Sequence, residues 1–161
     1  MGDQVQAVPA HLHTVTPRLV FRNEALKAIE FYKNAFGAEA AEAPFATPDG
    51  AVVHSEIRIG DSVVYLTDEG DDGNGVAPQS IGGRVTALLA LNVPNVDELW
   101  GRAVAAGCEV VYPLADQFYG DRGGRLRDPF GHQWALSTHI EDVSREELDR
   151  RMSEWAADNS G

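Results

Sequence analysis

The sequence predicts an α+β fold: two βαβββ modules forming a curved, mostly antiparallel sheet with helices on its convex side, followed by a C-terminal helix. Three observations predict it. The chain aligns on itself with a shift of about 70 residues, bringing Gly37 onto Gly107 and Gly60 close to Gly131. Both halves then repeat one order of alternating apolar runs and helical stripes. A Ser144-Arg145-Glu146-Glu147 capping box opens a last stripe of Leu148, Met152 and Trp155.

In the first half, Thr14–Phe21 reads as a strand. Ala25, Ile29, Tyr32 and Phe36 recur at helical spacing over Glu24–Phe36, with Asn23 as the N-cap and Gly37 as the stop. A strand is expected from about Ala38 to Thr47, then a hairpin of Ala51–Ile59 and Ser62–Thr67 across Gly60-Asp61. The segment Asp68–Gly83, rich in Gly and acidic residues, reads as a flexible connector. The second half begins with a strand at Val85–Val93 and a helix at Asn95–Ala106, whose stripe is Val96, Leu99, Trp100 and Ala103 and whose stop is Gly107. Glu109–Leu114, Gly124–Arg127 and Gln133–His139 complete it, with an Asp128-Pro129-Phe130-Gly131 turn before the last strand. The terminal helix should dock on an apolar surface. Modules of about 14–69 and 84–140 thus make a domain of 14–143, followed by a helix over 144–157, with 1–13 and 158–161 flexible.

Composition narrows the function. At 161 residues, one domain buries a sizeable core without staples. Thirteen basic against twenty-five acidic residues give a formal charge of −12, which repels phosphate backbones and anionic lipid, so neither nucleic acid nor membrane is expected as a partner. No window has the roughly 20 apolar residues of a membrane helix, and the start lacks a basic stretch followed by an apolar run, so a cytoplasmic location is expected. Cys108 stands alone; its apolar strand context suggests a small buried hydrophobe. No Gly-rich phosphate loop, nucleophile elbow or catalytic Cys-His pairing is present.

Strand alternation assigns faces. If Ile57 and Ile59 point to the helices, His54, Glu56 and Arg58 point to the concave side. Across the hairpin, Val64 and Leu66 join the core and Tyr65 joins His54 and Glu56. Trp134 and Leu136 read as core, leaving Gln133, Ala135, Ser137 and His139 on the concave face; likewise Leu88 and Ala90 face it if Leu89 and Leu91 are core.

Thr16–Val20, Ala28–Ala38 and Leu126–Trp134 together resemble the vicinal oxygen chelate superfamily of glyoxalases, bleomycin resistance proteins and extradiol dioxygenases, in its PhnB-like branch. The resemblance covers about residues 14–143. It implies a paired-module fold, a small-molecule site on the concave face and, in metal-dependent members, His and Glu ligands on the first and last strands of each half. The matching positions here are Pro17, Tyr65, Leu88 and Ala135, three of them without a side-chain donor and the fourth a poor one when neutral. The resemblance also implies pairing of two chains, so a homodimer is expected.

The polar residues are weighed singly. His54 and Glu56 share a face and fit three roles: ligands of an unconventional metal, a general acid/base pair, or hydrogen-bonding groups in a wet cavity. His132 and His139 read as solvated or capping, and Arg127-Asp128 as a pair fixing the turn. Phe118–Arg125, with two aromatics beside glycines and arginines, reads either as a mobile edge closing over a planar or anionic ligand or as a plain hairpin. The expectation is a metal-free, cofactor-free binding protein of the bleomycin-resistance type, sequestering or carrying a small aromatic-containing ligand. The contacting residues are His54, Glu56, Tyr65, Leu88, Phe118, Tyr119, Arg125, Gln133, Ala135 and Ser137. The alternative is a glyoxalase-like lyase or isomerase, or a dioxygenase, using non-standard metal ligands or His/Glu acid-base chemistry.

Overall fold

The computed structural model describes residues 5–70 and 75–159. Residues 1–4 and 160–161, within the segments expected to be flexible, and 71–74 of the expected connector lie outside the described residues. The chain forms two compact units, one running to Val85 and including Phe130–His132, the other comprising Thr86–Pro129 and the chain from Gln133 onward. Each carries its own mixed sheet. No helix among the described residues is long and apolar enough to cross a membrane.

The first unit contains β1 (Arg18–Phe21), α1 (Ala25–Phe36), β2 (Glu39–Ala40), β3 (Phe45–Ala46), β4 (Val52–Ile59) and β5 (Ser62–Asp68). The sheet order is β1-β5-β4-β2, with β3 also on β4. β1 lies parallel to β5, Arg18 opposite Tyr65, while β4 and β5 form the expected hairpin with Ile59 opposite Ser62. α1 buries Ala25, Ala28, Ile29, Tyr32, Ala35 and Phe36, the stripe its spacing predicts. Gly37 ends it at φ 67°, donating its N–H to the Tyr32 carbonyl. The N-terminus differs from the expectation. Asn23 sits at φ 58° and is not the cap. Asp68, at the end of β5, supplies the capping carboxylate: Ala25 N–H donates to its Oδ1 at 3.0 Å, and Val52 N–H to its Oδ2 at 2.9 Å.

Two further expectations are corrected. The single strand over 38–47 is two short pieces, with a register irregularity at Phe45/Ala46. The described part of the connector is structured: Pro78–Ile81 forms a 3₁₀ turn, and Glu69 accepts from Ala77 N–H at 2.5 Å and from the Ser80 hydroxyl at 2.9 Å. Phe130 belongs to this unit's core, meeting the Phe21 ring edge-on at 5.4 Å. His132 is half-buried, with Nε2 3.0 Å from the Val20 carbonyl, which fits its capping reading.

The second unit contains β6 (Leu89–Asn92), α2 (Val96–Ala106), β7 (Glu109–Asp116), β8 (Asp121–Arg127), β9 (Gln133–His139) and α3 (Arg145–Asp158). Its order, β6-β9-β8-β7, repeats the first unit's plan, again with the first strand parallel to the last. Asn95 caps α2, accepting from Glu98 N–H at 3.2 Å, and Ser144 caps α3, accepting from Glu147 N–H at 3.2 Å. Trp134 is fully buried and donates its indole N–H to Asp128 at 2.9 Å. Asp128 therefore serves the core, while Arg127 pairs with Glu109 at 3.4 Å instead of fixing the turn with Asp128. Cys108 is buried, and burial, with Asp128 nearby, pushes its thiol up to about 12, so it stays protonated and inert. Of the two readings of Phe118–Arg125 the plain hairpin holds: Phe118–Gly120 form the turn, and Asp121–Arg125 lie in β8, which is hydrogen-bonded to β7 on one side and β9 on the other. Trp155, expected to be buried, is 51% exposed, and α3 buries no residue.

Replacing Trp134 by alanine removes a large fully buried ring and the indole donor to Asp128. It is expected to destabilise the protein by about 3–5 kcal/mol, read as a lowered urea midpoint. Unchanged stability would invert the face assignment of β9.

Candidate functional site

On β4, Ser55, Ile57 and Ile59 are buried, which turns His54, Glu56 and Arg58 to the other face, as alternation requires. On β5, Val64 and Leu66 are buried and Tyr65 shares the face of Glu56, its register partner. The His54 ring meets Tyr65 edge-on at 4.8 Å. Its Nε2 lies 3.2 Å from Glu56 Oε1, while the other carboxylate oxygen lies 3.3 Å from His11 Nε2. His11, His54 and Glu56 line a cavity of about 410 Å³, with Glu42 and Phe45 on its wall. His11 is the residue sequence reasoning missed. It lies before any periodic segment and reaches Glu56 only through the tertiary fold.

In the second unit, Tyr112, Tyr119, Asp121, Arg125, Ala135 and Ser137 line a depression of about 230 Å³. Four of the sequence-predicted residues, Tyr119, Arg125, Ala135 and Ser137, come together here; Asp121 lay within the predicted Phe118–Arg125 edge, and Tyr112 was not foreseen. Tyr112 was not legible: a bulge between Val110 and Tyr112 sets Val110 opposite Leu126 but Tyr112 opposite Arg125, which alternation along β7 does not predict. Arg125 projects its guanidinium over the Tyr112 ring, 5.0 Å from the centroid. Leu88 is exposed just before β6, Gln133 is half-buried at the start of β9, and the Phe118 ring lies tilted 5.9 Å from that of Trp155; neither these three nor Tyr65 lines either cavity.

The positions that hold metal ligands in metal-dependent relatives can now be compared by face. On β1, Leu19 is buried, so Arg18, not Pro17, shares the face of Tyr65, and its guanidinium lies 5.7 Å from that ring. In the second unit Ala90 lies opposite Ala135. Arg18, Tyr65, Ala90 and Ala135 offer no carboxylate and no imidazole, so these residues do not fit a divalent metal site of the usual kind. No three His, Cys, Asp or Glu side chains among the described residues are grouped to hold a metal ion.

The profile of the Glyoxalase/Bleomycin resistance protein/Dioxygenase superfamily matches residues 11–136. The chain belongs to this superfamily. An uncharacterized protein of Mycobacterium bovis is 38% identical over 143 residues, covering 86% of this chain and 91% of that one. Among solved structures, TioX from Micromonospora sp. ML1 is similar with a TM-score of 0.60 at 23% identity, over 82% of this chain and 100% of that one. FosX from Listeria monocytogenes, complexed with Mn(II) and sulfate, is similar with a TM-score of 0.58 at 20% identity, over 87% and 97%. At these identities the superfamily likeness concerns the fold, and the function must come from the site.

One titrating group borders the second-unit depression. His139 Nε2 lies 2.8 Å from Asp142 and its Nδ1 2.8 Å from Asp121, and these carboxylates raise its pKa above the usual 6.5, Asp142 first. A raised folded value means that the imidazolium contributes stability fully below pH 6.5 and loses it as pH rises through the folded value. NMR titration of His139 should show the raised pKa, and His139→Gln should remove that part of the pH dependence of the melting temperature. An unshifted titration would show that these ion pairs do not persist in solution.

Proposed function

We propose that this superfamily member is a small-molecule-binding protein of the bleomycin-resistance type, acting in the cytoplasm without a metal and holding an aromatic-containing ligand. The observation that carries the reading is the donor set: Arg18, Tyr65, Ala90 and Ala135 stand on the faces where metal-dependent relatives keep their ligands, and none is a carboxylate or imidazole. What these faces do offer suits binding. The first unit presents imidazole and carboxylate groups beside Phe45, and the second presents two tyrosines and an arginine. Leu88, Phe118 and Gln133 remain part of the proposed contact set.

A bleomycin titration should raise the melting temperature of the dialysed protein in proportion to ln(1 + [L]/Kd), and Glu56→Gln should reduce that shift. Elemental analysis of the same sample should find far less than one Mn, Zn, Ni or Fe per chain. One metal per chain, together with turnover of fosfomycin on addition of Mn(II), would overturn the binding reading. The 3.2 Å contact of His54 with Glu56 favours a second reading, acid/base catalysis, which would appear as turnover abolished by Glu56→Gln without any metal.

The reading includes a homodimer. α3 buries none of its side chains and leaves Met152 and Trp155 about half exposed, at 47% and 51%. Light scattering at micromolar concentration should report about twice 17.4 kDa. A monomer that still binds ligand would remove pairing from the proposal.

A further inference from the structure

The chain carries far more acid than base, and most of its arginines are tied to carboxylates. Arg58 pairs with Glu39, Arg122 with Asp97 and Asp116, Arg127 with Glu109, and Arg151 with Glu141 and Glu147. Arg125, like Arg18 over Tyr65, has no carboxylate partner among the described residues, but unlike the exposed Arg18 it is half-buried in its sheet, with its guanidinium over the face of Tyr112. A guanidinium left unpaired where twenty-five acidic residues compete for cations is held there by its strand position, not by a local acid.

The surroundings of Arg125 restrict what can approach it. Leu126 is buried on the opposite face of β8, which fixes Arg125 outward, between Tyr112 on β7 and Ala135 on β9. Ala135 is small, and Gly123 has no side chain: a Cβ there would lie 2.8 Å from the Leu136 carbonyl and 3.1 Å from Ser137 Cβ, so β9 comes too close at this point for a larger residue to project beside the guanidinium. Two other polar groups of the depression are already engaged. The Ser137 hydroxyl donates to Asn92 at 3.1 Å, and Gln117 donates to the Gly123 carbonyl at 3.1 Å. Asp121, the one acid on the wall, is bound to His139 at 2.8 Å, which offsets its charge.

We propose that this depression is a binding site for a planar aromatic carboxylate, its carboxylate on the Arg125 fork and its ring against Tyr112 and Tyr119. The inference rests on the small-molecule-binding reading and adds the ligand's charge and shape. A guanidinium presents paired N–H donors that match a carboxylate in one plane, and a tyrosine face already stacked on that guanidinium continues the plane for an aromatic ring. The volume of about 230 Å³ suits a single substituted ring rather than a large scaffold.

The test is an NMR titration of the full chain with sodium benzoate, benzamide and sodium acetate at fixed ionic strength. Benzoate should move the amides of Gly123, Gly124, Arg125 and Ala135 in a saturable way, and benzamide and acetate should each bind at least tenfold more weakly. Arg125→Gln should weaken benzoate at least tenfold, with Arg125→Lys recovering part of the loss, and the melting temperatures of both variants should confirm the fold. Equal affinity for benzoate and benzamide, or for wild type and Arg125→Gln, would overturn the anion site. Benzoate shifts absent while bleomycin still stabilises the protein would sink this inference and leave the binding function standing. Arg125-dependent benzoate binding in a protein that proves to be a metal-loaded catalyst would do the reverse.

Discussion

The structure depends on one pairing, made twice: the first strand of each unit lies parallel to that unit's last strand. A parallel neighbour cannot be reached by a tight turn, so the chain must leave the sheet and return, and α1 and α2 are the crossovers that do so. The hairpins β4–β5 and β8–β9 then fill the sheet beside the first strand. With a helix over one face, the side-chain period of two divides every strand into a buried and an open set. Ile57, Val64 and Leu66 fall on the covered side of the first unit, and Leu126, Trp134 and Leu136 on that of the second. His54, Glu56 and Tyr65, and separately Arg125, Ala135 and Ser137, are open for the same reason.

That logic explains what was legible. Helices α1 and α2 follow from apolar spacing and from glycines in left-handed geometry at 37 and 107, both of them local signals. The alternation along β4, β5 and β9 needs only a correct period, and a period is read from neighbours in the chain. The strand β9 occupies Gln133–His139 as expected.

What was not legible is non-local. Asn23 is a good capping residue by type, yet α1 is capped by Asp68, 43 residues from Ala25, because the parallel alignment of β1 with β5 places that carboxylate at the helix start. His11 reaches Glu56 across 45 residues, the difference of their numbers, and no periodicity marks it. β1 begins at Arg18 rather than Thr14, and the parity of Leu19 puts Arg18 on the face that the family alignment had given to Pro17. Gly123 and Gly124 suggested mobility, yet both lie inside β8. There glycine gives room: a Cβ on Gly124 would lie 2.7 Å from the Trp100 ring.

Those two glycines show how one strand serves packing and site at once. Gly124 shares the covered face with Leu126, and its missing side chain lets the Trp100 ring of α2 lie directly on the sheet. Gly123 has the parity of Arg125, and its missing side chain lets β9 approach closely there, where a Cβ would lie 2.8 Å from the Leu136 carbonyl. Because alternation holds the two faces apart, a change on one need not disturb the other. Loss of Trp134 or crowding at Gly124 acts on stability through the core. Removal of the Arg125 charge acts on the open face, where no carboxylate partner among the described residues is left behind to carry an uncompensated charge.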